Sequence, residues 1–369
     1  MDFSRNYNNK KVSLSLEQLG QFIMTGINGL VLEEQERHFI KNENIGGVIL
    51  FSRNYQDPAQ LAELVNSIQE CRGQYPLYIS VDNEGGRVFR FKKNFTHFPS
   101  MKDLAKLDSP KIVYDVHKVI AEELKACGVN FNFSPVCDVL RKNTTNAIGD
   151  RAFSNDPLVV EKMISAAIRG LQTEGVAACA KHFPGHGNTS LDSHFDLPVI
   201  KQSMQEFRDL DFIPFHKASR SKVEFILMAH LICDAIDDKL PCTLSKKAYD
   251  LLRSELKFKK CIISDDMNME AITKNWSTGD AAKMAFEAGC DILVYRFFKD
   301  AKIALESLKE NYKSKKLKNE RVLESLKRIY KSKQDYLKSY KPIYIPEITE
   351  KFETAQGKIL LESISEKLK

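Results

Sequence analysis

The sequence predicts an α/β protein folded as a single-domain (β/α)8 TIM barrel with extra C-terminal helices. Three observations carry this expectation. Eight short apolar runs alternate with helical patterns between residues 19 and 295. The runs are continuously apolar, as parallel strands covered on both faces must be. No Gly-x-Gly-x-x-Gly turn follows the first run, which disfavours the runner-up, an open doubly wound sheet.

The elements follow in order. Residues 19–27 form the first run, closing at Gly26 and Gly29, and a helical pattern covers 33–41. Residues 46–51 are the second. Asp57-Pro58 then opens a helix, with aspartate as N-cap, proline in the first turn and Leu61, Leu64, Val65 and Ile68 as the inner stripe. The third run, 77–81, opens into Asp82-Asn83-Glu84-Gly85-Gly86-Arg87. A helix over 111–127, striped by Val116, Val119, Ile120 and Leu124, stops at Gly128. The fourth run, 129–139, leads into a long loop ending Gly149-Asp150-Arg151-Ala152-Phe153, and Asp156-Pro157 repeats the capping device. Runs five to eight are 176–180, 224–230, 261–264 and 291–295, with helices over 245–256 and 281–288. Helices after Ala301 pack outside the barrel, one of them striped by Val322, Leu326 and Ile329. Residues 1–335 thus read as a catalytic barrel and 336–369 as an extension of unknown role.

Bulk properties narrow the function. At 369 residues, 43% hydrophobic and 28% charged, the chain can bury one large core. The net charge of +6 gathers in the lysine-rich stretch 309–341, which lacks aromatic interleaving, so no nucleic-acid partner is expected. Residues 1–11 are polar, and no apolar run approaches the roughly 20 residues that span a bilayer. Eight cysteines lack CxxC pairing; Cys137, Cys179, Cys261 and Cys290 sit in or beside apolar runs, as buried free thiols do in a reducing compartment. The expectation is a cytoplasmic protein without a membrane partner, either monomer or homodimer.

A barrel of this kind gathers its functional residues at the C-terminal ends of the strands. That rule selects Asp82 and Arg87, Asp138 and Arg151, then Lys181, His182, Asp192 and His194, then His230, and finally Asp265 with Asp266. Such a ring suits a polyhydroxylated substrate, whose hydroxyls donate to carboxylates and accept from cations. The stretch from Lys181 to His194 holds three of the eight histidines, with Asp192 two residues from His194. A carboxylate against one ring nitrogen would fix the tautomer and free the other nitrogen for proton transfer. Two rival readings remain open: polar loop residues capping backbone groups, and a zinc site of His182, His186 and His194. The zinc spacing fits no common template, and neither metal nor cofactor is expected. Asp265, delivered by an apolar strand, is the candidate nucleophile of a retaining glycosidase, with His194 as acid/base. Asp138 reads equally as a backbone-bonding group or a sugar contact, His230 as a near-core histidine, Asp266 as a cap, and Arg87 as a structural partner of Glu84.

Four segments resemble the β-N-acetylglucosaminidases of glycoside hydrolase family 3, NagZ type. Lys181-His182-Phe183-Pro184-Gly185-His186-Gly187 with Asp192-Ser193-His194 is similar to that family's signature. Residues 81–90 resemble its VDQEGGRVxR segment, with Asn83 where glutamine is usual. Gly149 to Phe153 resembles its GxRSF segment, and Ser264-Asp265-Asp266-Met267 the SDD segment whose first aspartate is the nucleophile. The resemblance runs from residue 14 to 335. It implies a retaining mechanism through a glycosyl-Asp265, a mobile His194/Asp192 dyad, and Asp82, Arg90, Arg151, Lys181 and His182 around a terminal N-acetylglucosamine (GlcNAc). It also implies a carbohydrate partner, GlcNAc-1,6-anhydro-N-acetylmuramic acid muropeptides, handled during cytoplasmic peptidoglycan recycling in Gram-negative bacteria. Other branches carry a large C-terminal α/β domain, for which the tail here is too short. The alternatives are a phosphorylase using the same residues, since an anionic acid/base would repel phosphate where histidine does not, hydrolysis assisted by the 2-acetamido group, and a catalytically dead sugar-binding barrel.

Overall fold

A computed structural model of the chain describes residues 15–141, 148–186, 197–337 and 339–369. Eight parallel strands form a closed barrel: β1 Ile23–Gly26, β2 Gly47–Leu50, β3 Tyr78–Val81, β4 Phe131–Asn132, β5 Ala177–Phe183, β6 Phe225–Met228, β7 Cys261–Asp266 and β8 Ile292–Tyr295. Each strand pairs with the next, and β8 closes the ring by lying beside β1, with Ile23 opposite Leu293. The helices are α1 Glu34–Asn42, α2 Pro58–Gln69, α3 Pro110–Ala126, α4 Pro157–Thr173, α5 Phe212–Arg220, α6 Lys246–Ser254, α7 Thr278–Ala288, α8 Phe298–Lys313, α9 Asn319–Tyr336 and α10 Ala355–Leu368. The expected capping chemistry is present: Asp57 accepts the Gln60 N–H at 2.9 Å and Asp156 the Leu158 N–H at 2.8 Å. Gly289 ends α7 at φ +143°, and a Cβ there would stand 2.7 Å from the Tyr249 ring.

Four boundaries depart from the sequence reading. Residues Leu16–Phe22 form a 3-10 helix, so β1 begins at Ile23. Ser15 starts that turn by donating its N–H to Gln18 Oε1, and the buried Gln21 interrupts the apolar run. β4 shrinks to two residues because Pro135 has no N–H for the ladder, and pairing resumes only at Val136 against Lys181. β5 continues beyond Ala180 through Lys181 and His182 to Phe183, held by Cys137 N–H to Lys181 O at 2.6 Å and Ala229 N–H to Phe183 O at 2.8 Å. β7 likewise carries both aspartates at its end. All eight cysteines are free and buried. Among the described residues no helix is long and apolar enough to cross a membrane.

The end of the barrel away from the strand C-termini is filled by Tyr78, Phe131 and Phe225, each the first residue of its strand. Their ring centroids lie 4.5 to 6.0 Å apart. α9 seals that end. Its Ser332 hydroxyl bonds the Tyr78 hydroxyl, and Lys333, 1% exposed, donates to Gln21 Oε1 at 2.9 Å and Gly46 O at 2.8 Å. Burial without a carboxylate beside it pulls the Lys333 ammonium down to about 7. The unfolded chain therefore binds the extra proton between about pH 7 and 10, and folding stability gains with rising pH over that window. Urea denaturation should show wild type gaining on Lys333→Met by up to roughly 1.4 kcal/mol per pH unit from pH 7 to 9. A gap that stays constant over that range would refute the assignment.

Candidate active site

A cavity of about 340 Å³ opens at the C-terminal ends of the strands. Residues from seven successive strand ends line it: Phe51 after β2, Asp82 after β3, Phe133 after β4, Lys181 and His182 on β5, Leu227 on β6, Asp265 on β7, and Val294 on β8. Neighbours on a regular strand face opposite sides. Here Lys181 and His182 both line the cavity, and the β5–β6 register shifts between Ala180 and Phe183.

After β3 the chain folds back as a small hairpin, Asn83–Gly85 against Val88–Phe89. Gly86 turns it at φ +55°, with room for no side chain against Ser100, whose Cα would lie 2.9 Å from a Cβ. Asn83 closes the hairpin. Its Oδ1 accepts the Arg90 N–H at 2.8 Å, while its own N–H and carbonyl pair with the Asn132 side chain at 3.0 and 2.8 Å.

The hairpin and β5 together build a row of alternating charge. Arg90 Nη2 lies 3.3 Å from Asp82 Oδ2, and Lys181 Nζ lies 2.8 Å from Asp82 Oδ1 and 2.6 Å from Glu84 Oε1. Arg151 grips both Glu84 oxygens at 2.7 and 2.8 Å. The Lys181 and Glu84 side chains are 3% and 1% exposed. Burial opposes the charges of Asp82, Glu84, Arg151 and Lys181, but the neighbours outweigh it. Arg151 and Lys181 bring the Glu84 carboxyl down to about 2, and Lys181 and Arg90 hold Asp82 well below the usual carboxylate range. The Lys181 ammonium is correspondingly raised. Glu84 holds two of the row's three cations and was not among the sequence candidates. Its two oxygens are taken, so Arg87 does not pair with it; Arg87 instead reaches Asp150 at 2.7 Å and the Ile148 carbonyl at 3.1 Å.

His182 is held from behind. Its Nδ1 donates to Asp138 Oδ2 at 2.7 Å, which leaves Nε2 facing Arg151 Nη2 at 3.4 Å. Asp138 Oδ1 accepts the His186 N–H at 2.9 Å. Against the cost of burial, His182 and His186 bring the Asp138 carboxyl down to about 2. Asp138 is thus both a backbone-bonding group and the anchor of His182. Burial brings the His186 imidazole down to about 4.

Asp265 stands on the cavity wall, and its Oδ1 accepts the Asp266 N–H at 2.8 Å. Burial pushes its carboxyl up, but His230, His182 and that N–H together bring it below the ordinary value. Asp266 is engaged otherwise, accepting from the Arg296 side chain and from the N–H groups of Asn268 and Arg296 at 3.0 and 3.2 Å. His230 is a buried histidine bonded to Thr243 Oγ1 at 2.7 Å and, through Nε2, to the Asp266 carbonyl at 3.0 Å. Asp192 and His194 lie in the segment 187–196, outside the described residues; the zinc trio also needs His194.

A strand-borne carboxylate in a barrel mouth beside a paired-charge row is the arrangement expected of a glycosidase, and comparison with known proteins agrees. The glycosyl hydrolase family 3 N-terminal domain matches residues 14–332. This chain belongs to glycoside hydrolase family 3. Among family 3 relatives it is similar to a β-hexosaminidase of Nitrosomonas eutropha, 40% identical over 278 residues that cover 74% of this chain and 79% of that protein. One from Alkalilimnicola ehrlichii is 38% identical over 279 residues, with the same coverage of 74% and 79%. The fold is similar to a solved family 3 β-N-acetylglucosaminidase from Paenibacillus sp. str. FPU-7, with a TM-score of 0.91, 33% identity, and coverage of 96% of this chain and 69% of that one. It is also similar to NagZ from Neisseria gonorrhoeae in complex with N-trifluoroacetyl-D-glucosamine, at TM-score 0.78 and 29% identity over 94% of this chain and 98% of that one.

The family 3 barrel holds a further buried carboxylate that no sequence signal marked. Asp211 accepts from Arg141 Nη2 at 2.9 Å and Gln202 Nε2 at 2.7 Å, and a Cβ on Gly185 would touch its side chain at 2.9 Å. Burial pushes its carboxyl up to about 6 despite Arg141.

Proposed function

We propose that this chain is a retaining exo-β-N-acetylglucosaminidase. It removes terminal non-reducing β-linked GlcNAc from GlcNAc-1,6-anhydro-N-acetylmuramic acid muropeptides during cytoplasmic peptidoglycan recycling. The observation that carries the reading is Asp265, a half-buried carboxylate whose surroundings favour its ionised form, on the wall of the cavity that also holds Arg90, Asp82, Lys181 and Arg151 of the charged row. Its oxygen attacks the anomeric carbon while the glycosidic C–O bond breaks and His194, held by Asp192, gives its proton to the departing oxygen. A glycosyl-Asp265 ester results. His194 then takes a proton from water, which attacks the same carbon and releases Asp265 and GlcNAc. Asp82, Arg90, Arg151, Lys181 and His182 bind the hydroxyls and the acetamido group. A pocket of one sugar's scale supports exo action, and the relatives' names support GlcNAc as that sugar.

Turnover of p-nitrophenyl β-GlcNAc and of the muropeptide disaccharide, with and without phosphate, tests the proposal. The expected product is GlcNAc in both buffers; GlcNAc-1-phosphate formed with phosphate would make the chain a phosphorylase instead. His194→Ala should lose about 10²–10⁴-fold on the disaccharide and much less on the nitrophenyl substrate, whose leaving group needs little protonation. Equal losses on both substrates would remove His194 from the acid/base role.

A further inference from the structure

We propose that the C-terminal extension is a brace that positions the substrate-binding hairpin, so that residues beyond the family match set the affinity for the sugar. The inference rests on the reading above in which Asp82 and Arg90 bind that sugar.

The family match ends at residue 332, within α9. Beyond α9 the chain is tied to α2: Asn66 Oδ1 accepts the Ile343 N–H at 2.9 Å, and Asn66 Nδ2 donates to the Ile343 carbonyl at 3.1 Å. The 3-10 segment Ile345–Lys351 then lies on α2 and α3, and α10 lies on α3 and on the short helix Met101–Lys106. Between these two stretches sit Phe352 and Glu353, where the extension meets the loop that follows the hairpin.

One buried carboxylate joins them. Glu123 of α3, 1% exposed, accepts the Thr96 N–H at 2.9 Å and the Thr96 hydroxyl at 2.6 Å from the loop, and the Glu353 N–H at 3.1 Å from the extension. Three donors on one buried carboxylate make a junction that is costly to break, because losing a partner leaves a desolvated group unpaired. Phe352 packs edge-on against Phe95, with centroids 4.9 Å apart. Gly357 approaches so closely that a Cβ would lie 3.1 Å from Thr96 Oγ1.

The same loop touches the hairpin. Phe95 packs against Phe89 and Phe91 at 6.3 and 5.5 Å, the two residues flanking Arg90, and the Phe98 carbonyl accepts the Gly86 N–H at 3.0 Å. Contact therefore runs unbroken from Phe352 through Phe95 to both neighbours of Arg90. Among the described residues none of the extension lines the cavity, and this packing is the route by which the extension reaches the sugar site.

In the full-length chain, Phe352→Ala should raise KM for p-nitrophenyl β-GlcNAc and Ki for free GlcNAc by about fivefold or more, with kcat within about twofold. Phe352→Tyr, which keeps the ring, should restore both. Glu123→Gln should move KM in the same direction. Leu326→Ala in the core stripe of α9 is the stability control, expected to lower Tm at least as much as Phe352→Ala without raising KM. An unchanged KM in folded Phe352→Ala, or a KM that rises equally in Leu326→Ala, would overturn the brace. Arg90→Ala separates the underlying assumption: if that variant keeps its KM, the hairpin's role in sugar binding fails, whatever Phe352 does.

Discussion

Asp265→Ala should lose on the order of 10⁴-fold or more in kcat on p-nitrophenyl β-GlcNAc while remaining folded. The loss is large because an activated leaving group spares the acid but not the nucleophile. Folding should be spared for a separate reason. Burial opposes the ionised Asp265, but His230, His182 and the adjacent N–H bring its carboxyl below the ordinary value, so the alanine removes only a small net stabilisation at the cavity wall. Tm should fall by no more than a few degrees. A 2-fluoro glycoside should leave a covalent adduct on the peptide containing Asp265, visible by mass spectrometry. Full activity in Asp265→Ala would move the attack to the substrate's own acetamido group. Because the Asp265 carboxyl sits below its ordinary value, it stays ionised into acid, and the acid limb of the kcat/KM profile should fall below about pH 4.

Lys181→Met should do the opposite and damage both the fold and the site. Lys181 separates Asp82 from Glu84, with Nζ 2.8 and 2.6 Å from their oxygens. Without it the buried Glu84 and the partly exposed Asp82 lose the cation between them, a loss of about 3–5 kcal/mol for a broken buried pair. The sign of its pH dependence follows from Glu84, whose folded value of about 2 lies below the unfolded one. The stability from that pairing is fully present above about pH 5 and is lost as pH falls towards 2. Urea denaturation should therefore show the widest gap between wild type and Lys181→Met at pH 7 and a narrower one at pH 3.5. A gap independent of pH would mean that the ammonium does not carry the Glu84 ionisation.

The sequence made the barrel legible because continuous apolar runs between capped helices admit few other arrangements. Once the strand ends are known, the barrel rule and the family resemblance point to Asp82, Arg90, Arg151, Lys181, His182 and Asp265, and all six line the cavity. The failures share a cause. Glu84 lies in a Glu-Gly-Gly turn that reads as exposed, and only the return of Arg151 and Lys181 from distant strands makes it a buried hub. Arg87 was paired with the wrong carboxylate for the same reason. Glu123 and Glu353 are 230 residues apart and Lys333 and Gln21 are 312 apart, so no local pattern signals either contact. Strand limits slipped where one residue decided them, at Gln21 and Pro135.

The pairing of β8 with β1 has a consequence for biosynthesis. One edge of residues 23–26 finds its partner only in residues 292–295, so the ring stays open until nearly four-fifths of the chain has left the ribosome. Through that interval the nascent polypeptide presents an uncapped hydrophobic margin, a template for pairing with other chains. Residues 292–295 cover that margin once they pair with residues 23–26.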